Sequence, residues 1–211
     1  MPGLDALLAF LAASALITLA PGPDNLMVLS QSLSRGRAAG LGLALGCALG
    51  CLTHTLWATL GVSALVASSP ALFTALKLAG SAYLVWLGIG ALRSPGARLT
   101  GSDSASPPES WWRYLRRGFI ANAINPKVGL FFLAFMPQFV DPAAGHAGLQ
   151  MIVLGGVFVL QTILIFGAIA LAAGRFGALL RRRPGVARWL DRLTGVVFLG
   201  LAARLALVGR H

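Results

Sequence analysis

Two short polar segments that contain proline interrupt long apolar stretches of this chain. The segments are Pro21-Gly22-Pro23-Asp24-Asn25 and Asn125-Pro126-Lys127. Proline removes a backbone donor and its ring clashes with the preceding turn, so each segment breaks a helix. Inside a membrane, broken backbone is tolerated only where it is buried in protein or lines a wet cavity, and an ionisable side chain at that depth by default marks a substrate or ion path. The two segments together therefore indicate a membrane transporter.

The composition agrees with a chain that lies almost entirely in a membrane. Of its 211 residues, 57% are hydrophobic and 11% are charged, whereas soluble domains carry about 25% charged residues. A membrane-spanning helix takes about 20 residues, which leaves room for six spans, predicted at 4–33, 38–66, 72–92, 112–140, 148–174 and 190–208. We predict an all-α membrane protein in which the first and fourth of six transmembrane helices are broken at the two proline segments.

The basic residues are placed to orient the chain in a membrane. The formal net charge is +11, but the basic side chains separate apolar spans instead of forming one basic face, so we predict no nucleic-acid partner. Three connections hold most of them: Arg35, Arg37, Arg93, Arg98, Arg113, Arg116, Arg117, Arg175, Arg181, Arg182, Arg183, Arg188 and Arg192. Because positive charge marks cytoplasmic loops, we expect these connections in the cytoplasm and both termini outside.

This orientation divides the chain into two halves that cross the membrane in opposite directions. Residues 1–93 form the first three-helix repeat, 94–111 a cytoplasmic connector rich in Ser, Pro and Gly, and 112–211 the second repeat. In transporters built from inverted repeats, broken helices at corresponding positions mark the binding site. We therefore predict two inverted three-helix repeats with a central site between them.

The candidate residues of a substrate and proton pathway lie in and beside the two breaks. They are Pro21, Gly22, Pro23, Asp24, Asn25, His54, Asn122, Asn125, Pro126 and Lys127. Asp24 is interpreted as a proton carrier, as a partner for a substrate ammonium group, or as a structural partner of a buried base such as Lys127. The carbonyl groups freed by the first break need new partners, for which a substrate ammonium group, a cation or water would serve. We expect Asp24 and Lys127 to face a common cavity, whether or not they pair directly.

Two other patterns leave alternatives open. Cys47, Cys51 and His54 share one stripe of the second span, and such side chains bind transition metals; however, one straight helix rarely supplies three ligands, so we predict no bound metal and no cofactor. A metal-ion or small-cation exporter remains the main alternative, and an intramembrane enzyme that uses Ser63 is a weaker one. A ridge formed by Gly42, Gly46 and Gly50 permits close helix packing, either within one protomer or in a homo-oligomer.

Three segments resemble the LysE/RhtB family of bacterial amino-acid exporters. They are the segment from Pro21 to Asn25, the block from Lys77 to Gly88, and the stretch from Phe119 to Phe139. The Asn-Pro-Lys block is more similar to the threonine and homoserine branch than to the basic amino-acid branch. The resemblance implies efflux of amino acids or their derivatives across the inner membrane, driven by proton antiport, and it implies no enzyme activity.

Overall fold

The computed structural model describes residues 1–62, 70–95, 109–141, 143–182 and 184–207. Helices make up 89% of the structure, and these residues contain no strand, which confirms the all-α fold. The helices are α1 (Leu4–Leu19), α2 (Pro23–Arg35), α3 (Arg37–Trp57), α4 (Pro70–Arg93), α5 (Trp111–Ala123), α6 (Pro126–Leu130), α7 (Ala147–Arg182) and α8 (Pro184–Leu207). A π-helical turn, Ala58–Val62, extends α3, and a π turn followed by a 3-10 turn carries α6 on to Phe139.

Both predicted helix breaks are present. The axis bends by 57° between α1 and α2 and by 49° between α5 and the segment that begins with α6. Pro23 and Pro126 each occupy the first turn of the new helix, where the missing backbone donor costs nothing. The Asn125 side chain accepts a hydrogen bond of 3.0 Å from the backbone N–H of Lys127 and so caps α6. The sequence thus breaks each long helix and immediately starts the next one.

Five of the six predicted spans meet the length and hydropathy that a membrane crossing requires. Segments of α3, α4 and α7 qualify alone, and the two bent pairs qualify when each pair counts as one span. The last helix, α8, has the length of a span but carries Arg188, Asp191, Arg192 and Arg204. The protein is therefore an all-α membrane protein, and the sixth crossing stays a prediction.

Residues 175–189, which were predicted to form a loop between the fifth and sixth spans, are largely helical. Helix α7 continues to Arg182 and α8 begins at Pro184. Arginine, leucine and alanine favour helix, so the basic segment extends the span instead of ending it. Ser63, the end of the second predicted span, most of the connector and the last four residues lie outside the described residues.

The glycine ridge packs two helices of the same protomer. A Cβ atom at Gly46 would collide with the backbone of Leu115 and Phe119 on α5, and one at Gly50 would collide with Asn122. Small residues let two backbones approach this closely. The ridge thus brings α3 against α5 and sets the position of Asn122.

Two of the helix contacts join the two predicted halves. Helix α3 packs against α7 and α4 packs against α8, and each pair joins corresponding helices of the two predicted halves. The inverted repeat itself stays a prediction.

Phenylalanine side chains fill the end of the bundle at which α1 begins. The Phe10 ring lies 5.9 Å from Phe131 and 5.3 Å from Phe139, and Phe131 lies 5.5 Å from Phe158. These rings are buried. The cluster packs α1 against the segment that follows α6 and against α7.

The close approach at Gly46 predicts opposite effects for two otherwise equal substitutions. Gly46→Ala is expected to lower the free energy of unfolding by about 1–3 kcal/mol, because the added Cβ overpacks the contact with α5. Gly156→Ala is the matched control, since a Cβ there has open space, and alanine in a helix gains about 1 kcal/mol over glycine. Both are measured by unfolding in detergent. Equal stability of the two variants would contradict the close α3–α5 contact.

Candidate functional site

Side chains of the protein satisfy the carbonyl groups that the first break frees. The Asn25 side-chain amide donates to the Thr18 carbonyl at 2.8 Å. The Lys127 ammonium group donates to the carbonyls of Ile17 at 3.2 Å and Ala20 at 3.0 Å. Lys127, at the second break, therefore stabilises the first break by bonding to its free carbonyl groups.

Asp24 lies in the first turn of α2 and is 2% exposed. Its Oδ2 accepts a hydrogen bond of 2.8 Å from the side-chain amide of Asn122. Asn122 thus links the end of α5 to the start of α2. A buried carboxylate needs such a donor, because burial without one is costly.

The cysteine and histidine stripe of α3 lies behind Asn122. The Cys51 thiol lies 3.4 Å from Asn122 Oδ1, and His54 Nε2 lies 2.8 Å from the Asn122 carbonyl oxygen. His54 lines neither of the two cavities at this site, so its part here is to hold the Asn122 backbone in position. In the described part of the chain, no three His, Cys, Asp or Glu side chains form a group that could hold a metal. Nothing here favours the metal-ion alternative.

Lys127 is 6% exposed and sits in a setting that suits a cation. Besides the two carbonyls, the Phe198 ring centroid lies 5.9 Å from its Nζ, within the range of a cation–π contact. Among the described residues, Arg117 and Glu109 form an ion pair at the surface, but no ion pair within 4.0 Å joins Asp24 to Lys127. Asp24 and Lys127 therefore do not pair directly in this structure.

A small internal cavity joins the two charged side chains. Its volume is about 10 Å³, close to the space that one water molecule needs. The lining residues are Ile17, Thr18, Asp24, Asn122, Lys127, Val128, Phe158, Thr162 and Phe166. Asp24 and Lys127 thus both line this cavity; that it belongs to a central substrate site stays a prediction.

Three polar side chains at this site were not predicted from the sequence. The Gln161 amide donates to the Thr18 hydroxyl at 2.8 Å and approaches the Thr162 hydroxyl at 3.3 Å. Thr18 and Thr162 both line the internal cavity. The signal was present, since Gln161-Thr162 is an isolated polar pair in the apolar run of α7.

A cleft of about 670 Å³ leads to the two breaks. Its floor is formed by Pro21, Gly22, Pro23, Asn125, Pro126 and Lys127. The walls are mostly apolar and include Leu26, Tyr83, Trp86, Leu87, Ile89 and Phe198. The volume is in the range of small-molecule sites. Lys127 lines both the cleft and the internal cavity, so its side chain stands at the boundary between them.

Charged and polar groups surround the mouth of the cleft. Arg93 is the last residue of α4 and Ser94 comes directly after it, whereas Asp191 lies in the first half of α8. The Ser94 hydroxyl donates to Asp191 Oδ2 at 2.5 Å. This contact ties α4 to α8 where the cleft opens.

At each break, one polar atom of a buried asparagine side chain is left without a partner. In the described part of the chain, Asn25 Oδ1 and Asn125 Nδ2 make no hydrogen bond. The first group is an acceptor and the second a donor. Thr59 Oγ1 and Gln161 Oε1 are unsatisfied as well. Of the two asparagines, Asn125 lines the cleft and Asn25 lines neither cavity, so Asn125 Nδ2 is the free group that a ligand in the cleft can satisfy.

The broken helices, the buried charges between them and the cleft that reaches them define a membrane transporter for a small molecule. The chain matches the model of the LysE type translocator family over residues 15–209, and it belongs to that family. It is a transporter and not an enzyme.

Curated relatives cover most of the chain. An uncharacterized membrane protein of Vibrio cholerae is 38% identical over 202 residues, covering 94% of this chain and 95% of its own. An uncharacterized membrane protein of Pseudomonas aeruginosa is 32% identical over 193 residues, 90% of this chain and 89% of its own. A protein of Enterobacter sp. named leucine efflux protein is 30% identical over 190 residues, 90% of each chain. No solved structure matches.

Proposed function

We propose that the protein exports amino acids from the cytoplasm across the bacterial inner membrane by proton antiport. One observation carries the proposal: the cleft ends on both helix breaks, with Lys127 at its floor and Asp24 directly behind. Opposite buried charges separated by a small cavity suit a zwitterion. Broken helices of this kind mark substrate sites in other transporter folds.

The groups at the two breaks match the two ends of an amino acid. Asp24, in the internal cavity, favours an ammonium group, whereas Lys127 and the free donor Asn125 Nδ2, at the cleft, favour a carboxylate. A zwitterion would pair both charges and satisfy Asn125 Nδ2. Buried charges that are paired and hydrogen-bonded cost far less than isolated ones.

The walls of the cleft favour an apolar side chain. Leu26, Leu87 and Phe198 offer no hydrogen-bonding group to a substrate. Relatives named leucine efflux protein support the same class of substrate. We therefore propose leucine as the first amino acid to test, followed by threonine and homoserine, which the resemblance of the Asn-Pro-Lys block suggests.

Asp24 is the proposed proton carrier. Its carboxyl group is buried, lines the internal cavity that Lys127 separates from the cleft, and keeps one hydrogen-bond partner in Asn122. Uptake of a proton from outside would remove its charge and with it the attraction for a substrate ammonium group. Proton entry would therefore release the substrate outward, as antiport requires.

The proposal requires the cleft to open toward the cytoplasm. Arg93, at the mouth, belongs to the connection between the two halves that the charge pattern assigns to the cytoplasm. The phenylalanine cluster then closes the outer side.

This orientation is tested with single cysteines in a Cys47→Ala, Cys51→Ala background. Ala144→Cys is expected to react with an impermeant thiol reagent in intact cells, whereas Ser102→Cys is expected to react only after the membrane is opened. Ala144 lies in the turn before α7, and Ser102 lies in the connector. The reverse labelling pattern would place the cleft mouth outside and exclude export from this state.

The function is tested with inside-out membrane vesicles, whose lumen corresponds to the cell exterior. Labelled amino acids are offered to vesicles with an acid lumen, and accumulation of leucine above its outside concentration is the expected result. A protonophore should abolish the accumulation. Vesicles that accumulate no amino acid of the panel would contradict the proposal.

A further inference from the structure

We infer that the carbonyl oxygens of Ile17 and Ala20 form the subsite for the substrate ammonium group, and that Lys127 fills this subsite until a substrate displaces it. The inference deepens the proposed function and rests on it. It adds two carbonyl oxygens to Asp24 as acceptors for the ammonium group, and Ile17 and Asp24 line the same internal cavity. It also explains why a zwitterion is required.

The first argument is chemical identity. Lys127 presents a primary ammonium group to the carbonyls of Ile17 at 3.2 Å and Ala20 at 3.0 Å. An amino acid presents a primary ammonium group as well, with the same three donors. The two carbonyls stand at the end of α1, where the helix dipole adds negative potential. A site that holds one of these groups has the polarity and geometry to hold the other.

The second argument is access. Lys127 borders the cleft on one side and the internal cavity with Asp24 on the other. Ile17 lines the internal cavity and Ala20 lines neither space, so a ligand in the cleft meets the Lys127 side chain first and reaches the two carbonyls when that side chain moves. Gly22 leaves room for this arrangement, because a Cβ atom there would collide with Lys127 Nζ. The lysine stands where the incoming ammonium group has to go.

The third argument is charge balance. When an amino acid takes the carbonyl pair, the displaced Lys127 ammonium group needs a new partner, and the substrate carboxylate supplies one. A primary amine without a carboxylate would leave Lys127 buried and unpaired, which is strongly unfavourable. The exchange therefore accepts zwitterions and rejects simple amines.

The test compares three probes on purified protein in detergent: leucine, 3-methylbutylamine, which lacks the carboxylate, and N-acetylleucine, which lacks the ammonium group. The wild type is expected to bind leucine and to bind the amine at least about tenfold more weakly, the scale of one charge-assisted hydrogen bond. Lys127→Met is expected to bind the amine about tenfold more tightly than the wild type does, because the carbonyls are then free. N-acetylleucine should bind neither protein.

The matched control is Lys77→Met, which removes the other lysine of the chain from a half-buried position that lines neither cavity. It should keep the selectivity of the wild type. If Lys127→Met unfolds readily, 3-methylbutylamine should raise its melting temperature by binding the native state, and N-acetylleucine should not.

The outcomes separate the two proposals. Leucine binding by the wild type, without any gain of amine binding or amine stabilisation in Lys127→Met, would overturn the carbonyl subsite and leave the exporter proposal standing. A wild-type protein that binds no amino acid would overturn both.

Discussion

Vesicles that contain the Asp24→Asn variant are expected to lose proton-driven amino-acid accumulation completely, down to the level of vesicles without the protein. Asparagine keeps the size of the side chain and can still bond to Asn122, which Asp24 does at 2.8 Å, but it cannot take up or release a proton. The variant should therefore fold, but because it resembles the protonated carboxyl group it should also exchange labelled for unlabelled substrate more slowly than the wild type. The measurement is uptake at an imposed pH gradient, with exchange in the absence of a gradient as its companion.

Asp5→Asn provides the matched control for this prediction. Asp5 lies in the first turn of α1 and is exposed, so removal of its charge should leave accumulation unchanged. Uphill accumulation by Asp24→Asn with a normal dependence on the pH gradient would show that another group carries the proton.

Lys127→Met is expected to destabilise the protein strongly, and the addition of Asp24→Asn should recover part of the loss. Without the lysine, the carbonyls of Ile17 and Ala20 lose their partner, which costs about 1–3 kcal/mol for each unsatisfied buried group. The variant also leaves Asp24 as an uncompensated buried charge across a cavity of about 10 Å³. Groups that share one network couple by about 0.5–3 kcal/mol.

The measurement is a double-mutant cycle on the free energy of unfolding in detergent. The double variant should lose less stability than the sum of the two single variants, by about 1 kcal/mol or more. Strict additivity would mean that Asp24 and Lys127 do not sense each other across the cavity, and it would weaken the case for a common site.

The helix breaks and most of the spans were predictable because they depend on local chemistry. Proline at Pro23 and Pro126 ends one helix and starts another in any surroundings. The extension of α7 to Arg182 was not predicted, because arginine ends a hydrophobic run but favours helix. Hydropathy locates the edge of the apolar segment, whereas the helix ends only where backbone bonding ends.

The charged residues of the site were predictable, and their partners were not. Polar groups are conspicuous in apolar spans, which pointed to Asp24, Asn122 and Lys127. Asn122 bonds to Asp24, and Lys127 bonds to the carbonyls at the end of α1. Both contacts depend on how α5 and α6 lie against α1 and α2. The close packing of α3 on α5 sets that position; the glycine ridge of α3 predicts close packing but does not say which helix packs there. The same argument explains why His54 lies behind Asn122 and outside both cavities.

The most direct test of the central claim is an experimental structure of the protein with the amino acid that the vesicle panel identifies. The account predicts that this amino acid lies at the floor of the cleft, between Gly22 on one break and Asn125 on the other. Lys127 should then have left the Ile17 and Ala20 carbonyls for the substrate carboxylate. An amino acid bound away from both breaks, with Lys127 still on the two carbonyls, would contradict the account.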